Sequence, residues 1–93
     1  DAVVLKKLEI GQIVKGVVAA SEVRSYTQKN GSVMGFVTLE DILGNKLKCT
    51  VFSSTWTISK SYIQINTPLY VEVKIGTYNG DINGIVNRIK RLN

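Results

Sequence analysis

Residues 35–52 read Gly-Phe-Val-Thr-Leu-Glu-Asp-Ile-Leu-Gly-Asn-Lys-Leu-Lys-Cys-Thr-Val-Phe, and this stretch constrains the fold more than any other. Two runs of period two flank Asp41-Ile42-Leu43-Gly44-Asn45, a segment rich in residues that tolerate tight backbone angles. Successive side chains of a strand point to opposite faces. In the first run Val37 and Leu39 therefore share one face, while Phe36, Thr38 and Glu40 share the other. In the second, Leu47, Cys49 and Val51 alternate with Lys46, Lys48 and Thr50. The pattern predicts an antiparallel hairpin with a buried aliphatic face. Its outer face carries an aromatic ring, hydroxyls and two lysines, a chemistry that stacks bases and meets phosphates. An ordinary solvated sheet surface has the same composition, so composition alone does not separate the two meanings.

The flanking segments supply the rest of a small β domain. Residues 12–24 are long and β-branched (Ile13, Val14, Val17, Val18, Val23), which predicts a first strand. Gly16 is expected to mark a bend or bulge in it, and Ala19-Ala20-Ser21 a tightly coiled stretch. Residues 25–32 are polar, contain Asn30-Gly31, and join the first strand to the second. In residues 53–66, Ser53 or Ser54 is a candidate cap, and Trp56, Ser59, Tyr62 and Ile63 recur near a helical period. A short helix is predicted, with Trp56 plugging one end of the domain rather than offering a stacking surface. Thr67-Pro68 ends it. Leu69, Val71, Val73 and Ile75 alternate with Tyr70, Glu72 and Lys74 as a fourth strand. Residues 76–81 make a second Asn-Gly connection containing Tyr78, and residues 82–92 a fifth strand with Ile85 or Val86, and Ile89, inward. Residues 1–10, with Leu5 and Leu8, read as an ordered lead-in packed on the domain.

Three strands, a short helix and two more strands, with a bent first strand, is the element order of the OB-fold. The expected architecture is all-β: a five-stranded Greek-key barrel with one short helix between strands three and four. An SH3-like barrel is the rival that the position of the helix disfavours. The 93 residues suit a single domain spanning 1–93, and 44% apolar with 20% charged residues marks a globular chain. The chain opens on Asp rather than Met, which reads as a fragment of a larger protein whose other domains would be its neighbours.

Several chemistries are excluded. Cys49 is the sole cysteine and histidine is absent, so neither an intrachain disulfide nor a Cys/His zinc site can form. Cys49 falls on the inward face as a small hydrophobe, and a cytoplasmic location is expected. No apolar run reaches the length of a membrane helix, and no membrane partner is expected. Glu40 and Asp41 are adjacent on a strand and point apart, so they cannot work as a catalytic pair. With no nucleophile–base set or phosphate-cradling loop, no enzyme is expected within this chain, and no cofactor or metal. The net charge of +5 is uneven: residues 34–45 hold two acids and no base, and 46–67 three lysines and no acid. Arg88, Lys90 and Arg91 follow late in the fifth strand and read as a solvated face. Such a balance suits a polyanion, and equally suits solubility.

Beyond pattern, Gly16-Val17-Val18, Tyr26-Thr27-Gln28-Lys29-Asn30-Gly31, Phe36-Val37-Thr38-Leu39-Glu40-Asp41, Gly44 and Val51-Phe52 resemble the OB domain of bacterial DNA polymerase III alpha subunits. The chain is also similar to anticodon-binding OB domains of class II aminoacyl-tRNA synthetases, which carry Phe-x-x-Leu-x-Asp on strand two. The resemblance runs over residues 11–92. It implies a single-stranded nucleic-acid-binding module, for DNA, within a replication protein whose whole would be a polymerase. It matches Phe36 to the synthetase phenylalanine that stacks on an anticodon base, and Lys29 to a basic residue in the polymerase loop between strands one and two. Asp41 and Gly44 match a structural turn.

The candidate site follows. Phe36 stacks bases with help from Tyr26 or Tyr78, and Arg24, Lys29, Lys46 and Lys48 track the backbone beside the Thr38 hydroxyl. Tyr26 and Lys29 are placed on the first loop, Arg24 at its base and Tyr78 on the second loop, as two walls of a groove. Little base preference is expected, because stacking accepts any base. The alternatives are an RNA-binding module of the anticodon type and an assembly module in which Phe36 anchors a protein partner.

Overall fold

The first strand holds the barrel together by pairing on both of its sides. A computed structural model describes residues 3–92. In it β1 (Ile13–Thr27) pairs antiparallel with β4 (Pro68–Tyr78) through its first half and with β2 (Val33–Glu40) through its second, and Ala19 takes part in both pairings. β3 (Lys46–Val51) follows β2, and β5 (Asp81–Arg91) follows β4. The sheet closes in the order β1-β2-β3-β5-β4, with a short parallel contact between β3 and β5. This is an all-β OB-fold.

That parallel contact depends on Gly84. A Cβ there would sit 2.5 Å from Val73 Cγ1 and 2.8 Å from Cys49 Sγ, so only glycine lets β5 approach β3 closely enough to close the barrel. The core runs along the inner faces as the alternation requires: Val14, Val18, Val37, Leu39, Leu47, Cys49, Val51, Leu69, Val71, Val73 and Ile75 are all buried. On β5 the inward residues are Val86 and Ile89 rather than Ile85. Asn87 is an extra residue there: Glu72 faces Arg88 while Val73 faces Val86, so the inward parity shifts by one.

A second bulge lies in β1, and not where the glycine suggested. Pairing runs regularly through Gly16, opposite Val71, and the irregularity falls at Ser21, between Ala20 and Glu22. Before it Val14, Gly16, Val18 and Ala20 face inward; after it Val23 packs on the core while Glu22, Arg24 and Tyr26 are exposed. One inserted residue reverses which side chains meet solvent. Were Ser21 paired in register instead of bulged out, Glu22 and Arg24 would fall on the buried face.

Both hairpins flanking β2 turn through three-residue loops, Lys29-Asn30-Gly31 and Ile42-Leu43-Gly44, closed by Gln28–Ser32 and Asp41–Asn45 hydrogen bonds of 2.8 and 3.0 Å. Each ends on a left-handed glycine, Gly31 at φ 90° and Gly44 at φ 87°. β1 therefore extends to Thr27, so Tyr26 is a strand residue rather than a loop residue. The β4–β5 turn is tighter still: Asn79 and Gly80 alone make it, both at positive φ, and Tyr78 pairs with Asp81.

The helix is shorter than its spacing suggested. α1 spans Ser53–Ser59 and passes into a single 3-10 turn at Lys60–Tyr62, with Ile63 extended. Ser and Thr hydroxyls compete for the backbone here: Thr57 Oγ1 donates to the Ser53 carbonyl at 2.8 Å and Ser59 Oγ to that of Thr55 at 2.7 Å. Neither Ser53 nor Ser54 caps it; Phe52 stands at the cap position without a side-chain bond. Packing holds it instead. Trp56 is buried with its ring so close to Gly35 that a Cβ there would collide with it, and Tyr62 Oη donates to the Ile89 carbonyl at 3.0 Å.

The lead-in packs on the core through Val3, Leu5 and Leu8 and is tied down most firmly at Leu5. Leu5 is buried, and its N–H donates to Asp41 Oδ2 at 2.7 Å. The same carboxylate accepts from the Leu43 N–H, the Asn45 N–H and Asn45 Nδ2, each at 2.9 Å. Burial alone would raise the Asp41 pKa, but these four donors outweigh it and hold the group at about 2. Asp41 is thus a structural clamp.

Candidate nucleic-acid interface

The reversed parity of β1 is what assembles the candidate site. Arg24 lies directly opposite Phe36 across the β1–β2 pair, and Glu22 opposite Thr38. Across the next pair Thr38 faces Lys48, and Glu40 faces Lys46. Outward side chains of three adjacent strands thereby form one surface. The far wall is the end of the β4–β5 hairpin, with Tyr78, Asn79, Asp81, Ile82 and Asn83. Between the walls runs a groove of about 440 Å³.

Phe36 forms part of the groove floor and is half-buried. Two neighbours account for its partial cover. The Tyr26 ring lies 6.2 Å from it, centroid to centroid, tilted by 59°, and the Arg24 guanidinium carbon stands 5.9 Å from the ring centroid. These distances are those of an edge-on aromatic pair and a cation–π contact. Tyr78, 60% exposed, stands on the other wall. Polar groups fix the floor: Thr38 Oγ1 donates to Glu22 Oε1 and Thr50 Oγ1 to Asn83 Oδ1, both at 3.3 Å.

Five of the residues singled out from the sequence, Arg24, Phe36, Thr38, Lys48 and Tyr78, line this one groove. Tyr26 joins it through its contact with Phe36. Lys46 lines an adjoining groove with Ser21, Glu22, Thr38 and Lys48. Lys29 is exposed at the tip of the β1–β2 loop, outside the residues that line either groove. Glu22 and Asn83 were not anticipated. The signal for Asn83 lay in the Asn79-Gly80 pair, which implies a tight turn and strands long enough to carry residue 83 to the groove.

Cys49 sits behind the groove with its side chain turned into the core. Burial pushes its thiol pKa up to about 12, which makes it a packing group rather than a nucleophile.

Fold and groove together define the class: an OB barrel whose β2–β3 face presents an aromatic floor between two walls. The chain is similar in structure to the mitochondrial single-stranded DNA-binding protein Rim1 of S. cerevisiae, with a TM-score of 0.69 and 18% sequence identity, covering 88% of this chain and 96% of that one. No protein-family model matches the sequence. No curated protein matches it either.

Proposed function

We propose that this chain is a binding module for single-stranded nucleic acid, DNA in the first instance, and that the groove on its β2–β3 face is the site. The observation that carries the reading is the half-covered Phe36 ring in the floor of an open groove, with Arg24 over it and Lys48 beside it. A base entering the groove meets the ring that Tyr26 and Arg24 leave accessible. A guanidinium above an aromatic ring is itself a planar surface on which a base can stack. Rim1, which shares the fold, is a single-stranded DNA-binding protein, and this supports the choice of ligand. The setting within a replication protein resembling the polymerase III alpha subunit is the finer part of the proposal and rests on the sequence motifs alone.

Fluorescence anisotropy with labelled oligothymidine and oligouridine tests it. Loss of one stacking platform is worth about 1–3 kcal/mol per base, so Phe36→Ala should weaken binding about 5- to 150-fold with the melting temperature little changed. Tight binding of uridine over thymidine would turn the reading toward RNA. Binding indifferent to Phe36→Ala would remove the groove from consideration.

A further inference from the structure

The aromatic groove has no net charge. Arg24 and Lys48 on its lining are balanced by Glu22 and Asp81. A strand carries one negative charge per nucleotide, and most of the affinity for it comes from neutralising phosphates. The groove therefore suits bases, and the phosphates need another seat.

The structure offers one next door. The lead-in folds back beside β3, and a basin of about 320 Å³ is lined by Lys6, Lys7, Lys46 and Lys48 with Leu5, Leu8, Leu47 and Ile82. Among the described residues it is lined by four lysines and no carboxylate. Lys48 and Ile82 belong to both basin and groove, so the two are continuous. The lysines are held in place from two sides. Lys46 and Lys48 stand on a paired strand, while Lys6 and Lys7 directly follow Leu5, which is buried and bonded through its N–H to Asp41 Oδ2 at 2.7 Å. The chain then turns at Lys7, whose φ is 56°. On the β1–β4 face, by contrast, Lys15 is already matched, 3.9 Å from Glu72 in an ion pair.

We propose that the basin of Lys6, Lys7, Lys46 and Lys48 is the phosphate-binding half of the site, gripping the sugar–phosphate backbone of the strand whose bases occupy the Phe36 groove. This rests on the single-strand reading and deepens it. The lead-in is then part of the ligand site, and the site is longer than the β2–β3 face.

The test is the salt dependence of oligothymidine binding for the wild type, Lys6→Gln/Lys7→Gln and Phe36→Ala, with strands of about four and about twelve nucleotides, the range one OB barrel covers. Each phosphate contact to a single strand contributes about −0.7 to the slope of log affinity against log salt. The double variant should flatten the slope for the longer strand by about 1.4. From about 50 to about 200 mM salt the wild type then loses about sevenfold more affinity than the variant does. The shorter strand should respond less, and Phe36→Ala should weaken binding without changing the slope. If the double variant keeps the wild-type slope on the longer strand while Phe36→Ala still weakens binding, the basin is overturned and the groove stands. If neither strand binds the wild type at low salt, both are overturned.

Discussion

Arg24 and Phe36 face each other across the β1–β2 pair, with the guanidinium carbon 5.9 Å from the ring centroid. Ser21 bulges out of β1 three residues earlier; paired in register it would turn Arg24 inward and break the contact. A backbone irregularity midway along the strand therefore sets the chemistry of its second half.

Deleting Ser21 tests this coupling. Deletion joins Ala20 directly to Glu22, so an unbroken alternation keeps Ala20 and Val23 on the core side and Glu22 and Arg24 in solvent, and only the local bend is lost. The deletion should keep a cooperative thermal transition by circular dichroism, at a lower temperature, because β1 loses the bend with which it passes from β4 to β2. Ser21→Ala keeps the residue count and should melt within a few degrees of the wild type.

Gly84 gives a prediction of opposite locality, one methyl group in the core. Gly84→Ala must push apart Val73, Cys49 and β3, whose nearest atoms leave 2.5 and 2.8 Å for the new carbon. Overpacking of this kind costs about 1–3 kcal/mol, a fall in melting temperature of at least about 4 °C for a domain of this size. Gly76→Ala, with no atom within 4 Å of the added carbon, is the control and should be nearly silent.

Asp41 makes the acid stability of the domain predictable. Its folded pKa of about 2 lies below the ordinary value of 3.8. The folded state thus holds fewer protons than the unfolded state between those values. The stability due to this group is fully present above pH 3.8 and is lost as the pH falls toward about 2. Urea titrations at pH 6 and pH 3 should show a smaller loss of stability on acidification for Asp41→Asn than for the wild type. Asp41→Asn should also be the less stable of the two at pH 6, since an amide cannot accept all four hydrogen bonds.

The parts of the fold that were legible are those governed by local alternation. The bounds of β3, the buried face of β2 and the outward Phe36, Thr38, Lys46 and Lys48 follow from period two alone. What alternation cannot carry is a change of parity. The small residues Ala19-Ala20-Ser21 mark a coiled stretch without showing which residue leaves the register, and nothing at Asn87 marks its bulge, because both answer to partners on β2 and β4 far along the chain. Gly84 was opaque for a similar reason: its importance comes from Cys49 and Val73, which only the closed barrel brings to it. The groove was half legible. Phe36 and Lys48 declare themselves on one hairpin, whereas Glu22 and Asn83 reach it through the bulge and the long β4–β5 hairpin, and Lys6 and Lys7 line the adjoining basin beside the Asp41 clamp. Lys29 looked equivalent to them in sequence and lies outside the lining.

Cys49 reports on the integrity of the same closure. Its side chain is buried between β3 and Gly84, and desolvation lifts the thiol from 9.0 to about 12. The thiolate is the reactive form, so at pH 8 its fraction falls about a thousandfold relative to an unperturbed thiol. A disulfide reagent at pH 8 should label the native protein only through unfolding, at a rate that rises with urea as the open population does. Gly84→Ala should label faster in the absence of urea, in proportion to its lost stability. The raised pKa also means the unfolded chain deprotonates first, so this thiol's contribution to stability declines as the pH climbs from 9.0 toward about 12. Cys49→Ala should lose that alkaline decline while keeping the fold. Rapid labelling of the native wild type, or an unaltered rate in Gly84→Ala, would mean that the β3–β5 contact opens on its own and does not seal the barrel.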